Sequence, residues 1–227
     1  KEAAQLSALR ARVALMQLTA GAIPTNFEIT ASLSDPVQLP SLEVLRQEVP
    51  TVNSDVLRLK AEQERANQRI SQEKASILPS LNVLYTNYQD AQFTSNTAGM
   101  SVRIPLFYRR RGEIDTAIYD SARIRDTLEF RRYEISQLFE SAWQGLQIAQ
   151  RRVEMFEGGL IKEAENAVQV AQSAYRFGER GLIEVLDTQR ILRGILGDSL
   201  QARFDLQSAA AEIDRLRAHY PKELLVE

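Results

Sequence analysis

The chain has no cysteine among its 227 residues. This excludes a disulfide framework and any thiolate-held metal, and it leaves the cellular compartment open. His219 is the single histidine, and one histidine cannot make a metal site. Long apolar runs are also missing: no stretch reaches the roughly 18 residues that a membrane-spanning helix needs. Neither sign of charge dominates. There are 28 Lys and Arg against 30 Asp and Glu, and with a pI near 5.7 nucleic acid is not an expected partner. No nucleophile stands with a base, no carboxylate pair forms a pocket and no phosphate loop appears, so neither an enzyme nor a cofactor is expected. The composition is 44% hydrophobic and 26% charged, which is too apolar for disorder and sufficient for one core or one elongated repeat.

The residues present are arranged mostly with helical period. Residues 1–20 read as the end of a helix with Leu6, Leu9, Val13 and Met16 on one face, stopped by Gly21 and Pro24. The chain begins at Lys1 without a signal pattern, so processing or truncation is expected to have removed what came before. Residues 21–52 form a connector divided by Pro36, Pro40 and Pro50, with a short strand at Phe27, Ile29 and Ala31 and a short helix from Ser41 to Val49. A helix capped by Asn53 follows over 53–78. Its seam of Val56, Leu59, Gln63, Ala66, Ile70, Glu73 and Ile77 steps by three and four.

The period then changes to two over 79–108. Leu81, Val83 and Tyr85 share one face of the first strand, and Ala98, Met100, Val102, Ile104 and Leu106 share one face of the second. Each run has about the length that a tilted strand needs to cross a bilayer, with aromatic residues near its margins. The same pattern would also suit a soluble hairpin with one buried face.

From Gly112 to Phe177 the helical pattern is uninterrupted, which at 1.5 Å per residue makes a rod roughly 100 Å long. Ile135, Phe139, Ala142, Leu146, Ala149, Val153, Phe156 and Leu160 form its seam, continued by Ala167, Val170, Ala174 and Phe177 past Glu163. Gly158-Gly159 reads as a weak spot in one helix, because the seam continues in register beyond it; a true turn is the alternative. After a turn over 178–182, a last helix over 183–218 carries a seam from Val185 and Thr188 to Ile213 and Leu216, followed by a tail over 219–227. The two shorter helices together nearly match the long one in length. The fold class is therefore mainly α with a small β part: long antiparallel coiled-coil helices joined to a two-stranded amphipathic hairpin.

This order of elements resembles the TolC-like outer-membrane factors of bacterial tripartite efflux pumps. The resemblance is strongest over Tyr175-Arg176-Phe177-Gly178-Glu179-Arg180-Gly181-Leu182-Ile183-Glu184-Val185-Leu186-Asp187 and over Pro105-Leu106-Phe107 with Arg111-Gly112-Glu113-Ile114. The second stretch looks most like the heavy-metal cation branch. The resemblance implies a homotrimer whose hairpins build a transmembrane β-barrel in outer-membrane lipid and whose helices build a periplasmic tunnel, working with a periplasmic adaptor and an inner-membrane transporter. The chain then corresponds to the second of two repeats and the tail of the first. It is expected to be a fragment, because two strands per subunit in a trimer fall short of the roughly 8 with which single-chain bacterial barrels begin.

The resemblance also implies site residues. Glu184 and Asp187, three apart on one helix face, match carboxylates that line the tunnel's constriction, while Tyr175 and Arg180 match links that hold the tip closed. Gly178, Glu179, Gly181 and Leu182 match the turn that meets the adaptor. Read alone, Glu184 complements the helix dipole and Asp187 pairs with Arg190. Arg109-Arg110-Arg111 either snorkel to lipid headgroups or form a solvated cluster. The competing reading of the whole chain is a soluble coiled-coil scaffold that binds partners through its helical tip.

Overall fold

The computed structural model describes residues 2–23, 27, 32–90, 92–104 and 110–219. Pro24, Ile29, Ala31, the run 105–109 with Leu106, and residues 220–227 lie outside the described residues. The elements are α1 (Glu2–Leu18), α2 (Leu42–Val52), α3 (Ser54–Ala75), β1 (Ser80–Gln89), β2 (Thr94–Arg103), α4 (Arg111–Met155), a π turn (Phe156–Leu160), α5 (Ile161–Arg176) and α6 (Leu182–Leu216). They fall into two compact units, one made of 1–38 with 161–207 and the other of 39–160 with 208–227.

In the second unit α2 and α3 lie along α4 in the opposite direction. Polar contacts fix this register: Arg46 bonds Glu140, Arg131 bonds Asp55, Ser121 donates to Asn67 at 2.6 Å and Arg110 bonds Glu73 at 2.6 Å, so partners on α4 fall in number as those on α2 and α3 rise. Between these rims the apolar seams meet. Leu45, Val49, Val56 and Leu59 are buried, as are Leu128, Ile135, Phe139 and Leu146 of α4. Burying side chains of this size stabilises by about 1.5–3 kcal/mol each. Asn53 closes the end of this core. Its Oδ1 accepts from the Asp55 N–H at 3.0 Å, the expected cap, and its buried Nδ2 donates to the Leu216 carbonyl of α6 at 2.8 Å.

In the first unit α5 buries Val168 and Ala171, and α6 buries Val185, Ser199 and Ala202. Side chains of α6 hold part of the connector, with Arg203 donating to the Ser34 hydroxyl at 2.8 Å and Gln207 to the Asp35 carbonyl at 2.7 Å. All ten seam residues expected of the last helix are buried or half-buried.

Four expectations are corrected. The rod is not one helix: Gly159 sits at φ 144°, ψ −21° inside the π turn, outside the helical region. Beyond it the expected seam holds only in part: Leu160 and Ala174 are half-buried, but Ala167 is exposed, Val170 is 66% and Phe177 81% exposed, and Val168 and Ala171 are buried instead. The kink at Gly159 ends one helix and begins another, so the spacing need not carry across it. Pro50 is not a divider, because α2 runs through it to Val52; so near a helix end, Pro removes only one backbone bond. Ser41 occupies the cap position of α2 without a side-chain cap bond. Finally, Arg110 neither snorkels nor stands solvated. It occupies the position before α4 at φ 48°, half-buried against Glu73 of α3.

Candidate functional site

Two exposed parts of the chain, one in each compact unit, carry distinct chemistry. In the second unit β1 and β2 pair antiparallel, with Leu81 opposite Val102, Val83 opposite Met100 and Tyr85 opposite Ala98. Alternation puts these six on one face. The other face pairs Ser80 with Arg103, Asn82 with Ser101, Leu84 with Gly99 and Thr86 with Thr97. Register therefore sorts the hairpin into an apolar face and a mainly polar one. Both are open, for every residue of β1 is exposed, as are Ala98, Met100 and Val102. Ile104 lies just past β2 and is exposed too. Two ten-residue strands match a tilted bilayer crossing. No helix among the described residues is long and apolar enough to cross a membrane. At the loop, the Tyr88 and Phe93 rings meet tilted at 41° with centroids 5.9 Å apart, and the Asp90 N–H donates to the Phe93 carbonyl at 2.9 Å.

The exposed part in the first unit is the turn from α5 to α6. The Glu179 N–H reaches the Ala174 carbonyl at 2.9 Å and the Gly178 N–H reaches the Tyr175 carbonyl at 3.0 Å, with Gly178 at φ 75°. This is the Schellman end, and it explains glycine at 178. Gly181 differs: its φ lies outside the positive region and a Cβ there would meet nothing within 4 Å. No backbone requirement accounts for glycine at that position. The Glu184 N–H then bonds the Gly181 carbonyl at 3.2 Å to open α6.

Tyr175, Glu179, Arg180, Leu182, Glu184 and Asp187 are all exposed around this turn. Arg180 and Glu184, one helical turn apart, form an ion pair at 3.3 Å. Asp187 has no ion pair among the described residues; the expected pairing with Arg190 is not formed there. The exposed apolar surface includes Phe177, which spacing had placed in the long seam, and Ile183 and Leu186, which charge and spacing had not singled out. Among the described residues no group of acidic or histidine side chains could hold a metal ion.

Long helices, an amphipathic strand pair and a tight turn between two helices, met in this chain order, are the elements of the TolC-like channel fold, in which a helical tunnel continues into a β-barrel. The outer membrane efflux protein family matches residues 45–216, and the chain belongs to that family. Its members are outer-membrane channels and not enzymes, and the chain's location is accordingly the outer membrane, with its helices on the periplasmic side. The fold is similar to that of the Neisseria gonorrhoeae outer membrane channel MtrE in its open state, at a TM-score of 0.71 and 19% identity over 92% of this chain and 49% of that one. It is also similar to CusC, at 0.69 and 17% over 92% and 51%, and to the Campylobacter jejuni CmeC channel, at 0.67 and 11% over 88% and 51%. The chain thus spans about half the length of these neighbours. No curated protein matches it by sequence.

Proposed function

We propose that the chain contributes two barrel strands and a set of tunnel helices to a passive duct across the outer membrane and periplasm. In this reading three copies assemble, a periplasmic adaptor and an inner-membrane transporter dock at the helical end, and the transporter supplies the energy. The cargo is small solutes or metal cations. The observation that carries the reading is the hairpin register, which gathers Leu81, Val83, Tyr85, Ala98, Met100 and Val102 on one open apolar face. A soluble hairpin would bury that face; lipid covers it here. Leu106 belongs to the same proposed lipid-facing set, and outer-membrane lipid is the matching partner.

At the other end, Glu184 and Asp187 are proposed to ring the constriction, with Tyr175 and Arg180 holding it. Threefold repetition of carboxylates in a narrow passage would set a potential of several kT that favours cations. Gly178, Glu179, Gly181 and Leu182 are proposed as the adaptor-docking turn, and open space at Gly181 without a backbone need for glycine supports that role.

The test compares neighbours on opposite faces. Val83→Arg is expected to cost about 2–4 kcal/mol near the bilayer midplane and to deplete the protein from the outer membrane, while Asn82→Arg is tolerated. Membrane fractions and trimer yield are measured; equal tolerance of both changes would refute the lipid-facing assignment.

A further inference from the structure

We infer that the outer edge of the hydrocarbon crosses the hairpin at the Tyr85–Ala98 pair, and that the strand ends beyond it meet the sugar headgroups of outer-leaflet lipid. The position of this edge rests on the lipid-facing assignment proposed above. On the apolar face the pairs run Leu81–Val102, Val83–Met100 and Tyr85–Ala98, and there the chemistry changes: the next two pairs on the same face are Asn87–Asn96 and Gln89–Thr94. The opposite face is polar over the same stretch, with Thr86 across from Thr97 and Tyr88 across from Ser95. From Ala98 to Leu106 the apolar alternation covers nine residues of sequence, enough for a tilted strand to cross a bilayer. The last four pairs are therefore not needed for the crossing. At about 3.3 Å per residue they reach roughly 13 Å past the edge.

The side chains at the edge are arranged for such a boundary. The Tyr85 hydroxyl reaches past its own partner toward the loop and donates to Asn96 Oδ1 at 3.2 Å, and Asn87 Nδ2 donates to the same oxygen at 2.5 Å. An aromatic ring with an apolar neighbour on one side and its hydroxyl bonded on the other suits the passage from hydrocarbon to headgroups. Beyond it Asn87, Gln89, Thr94 and Asn96 are all exposed, so their amides and hydroxyl are open to partners outside the hairpin. Charge selects the headgroup. Asp90 is the one charged residue from 80 to 102, and its sign opposes phosphate. Phosphate is recognised by cations, Arg above all, and that stretch has no Lys or Arg. Uncharged amides and hydroxyls both donate and accept, which matches the hydroxyls of a sugar.

The absence of cysteine from this chain makes single-cysteine labelling direct. Val83→Cys, Asn87→Cys and Asn96→Cys are made separately in the full-length channel, with any cysteine outside this chain replaced. Trimers in vesicles of phosphatidylethanolamine and phosphatidylglycerol are then timed against a water-soluble maleimide. Positions 87 and 96 are expected to react about tenfold faster than 83, because a thiol in apolar surroundings does not ionise. Protection of 87 or 96 equal to that of 83 overturns the placement of the edge, whereas fast reaction at all three refutes the lipid-facing assignment itself. The headgroup is tested on purified trimers offered equal amounts of digalactosyl diacylglycerol and phosphatidylglycerol, with retained lipid counted by native mass spectrometry. The parent is expected to retain the sugar lipid in preference. Asn87→Ala with Asn96→Ala should reduce that preference about tenfold, the loss of two hydrogen bonds, and Asn82→Ala on the opposite face should leave it unchanged. Phosphatidylglycerol retained as well as the sugar lipid, a preference that the double variant keeps, or one lost equally in Asn82→Ala overturns the sugar assignment.

Discussion

Arg180 and Glu184 face each other across one helical turn, Nη1 to Oε2 at 3.3 Å. The pair links two of the residues proposed for the constriction within a single subunit, and both partners are more than half exposed. Exposed pairs of this kind contribute little stability, about 0–1 kcal/mol. Their effect is on local potential: Arg180 offsets part of the charge that Glu184 and Asp187 present. In planar bilayers, Glu184→Ala with Asp187→Ala is therefore expected to raise conductance of the full-length trimer and weaken block by multivalent cations. Arg180→Ala is expected to strengthen that block. The same block in all three proteins would remove these carboxylates from the conduction path.

The two tip glycines are expected to respond differently. Gly178→Ala places a side chain at φ 75° and should cost about 1 kcal/mol of helix-end stability, seen as a lower melting temperature. Gly181→Trp has ordinary backbone angles and free space. It should leave trimer stability intact while abolishing efflux in cells. Normal efflux from the Gly181 variant would mean that the turn does not meet the adaptor.

Acid should loosen α2 from α4. Arg46 holds Glu140 side-on, Nε to Oε1 at 2.6 Å and Nη2 to Oε2 at 3.1 Å, and this hydrogen bonding keeps the Glu140 carboxyl below its usual range. A carboxyl depressed in the folded state contributes stability above its unfolded value, near pH 4.3, and loses it as pH falls through the lower folded value. Asp55, held down chiefly by its bond from Arg131, acts in the same sense. Glu140→Gln should lower the melting temperature at pH 7 and flatten its decline between pH 5 and pH 3. Parallel melting curves across that range would show that the pair contributes nothing.

The cap residue Asn53 serves two helices, accepting from Asp55 N–H and donating to the Leu216 carbonyl. Asn53→Ala is expected to cost about 1–2 kcal/mol for the cap alone and to release the end of α6. Hydrogen exchange should then quicken around Leu216 as well as around Val56. Faster exchange confined to α3 would show that the long-range bond is idle.

Much of this architecture is legible from local chemistry. A period of two in 80–103 and of three and four elsewhere follows from where side chains point on strands and helices, and Gly178 marks the helix end because few other residues accept its φ. Asn53 was readable as a cap because its side-chain oxygen can accept from an unpaired N–H of the first helical turn. The family match at 45–216 contains both stretches, 105–114 and 175–187, on which the resemblance had rested. α2 was only half legible. Leu45 and Val49 lie four apart, but Pro50 suggested a stop, and only packing against α4 makes a helix through that proline worthwhile.

What the sequence by itself determined is the kind of each element and the sorting of the hairpin into two faces, because these depend on neighbours in the chain. Which side chains are buried beyond Gly159 was decided only by tertiary structure. Val168 and Ala171 are buried there while Val170 and Phe177 stay exposed, although both pairs are apolar and suit a helical face. The choice turns on which of them finds a surface to pack against once the chain has kinked at Gly159. Arg110 is the same case in electrostatics: it stands among three arginines that look alike along the chain, and its partner is set by folding, which brings Glu73, 37 positions earlier, within 2.6 Å.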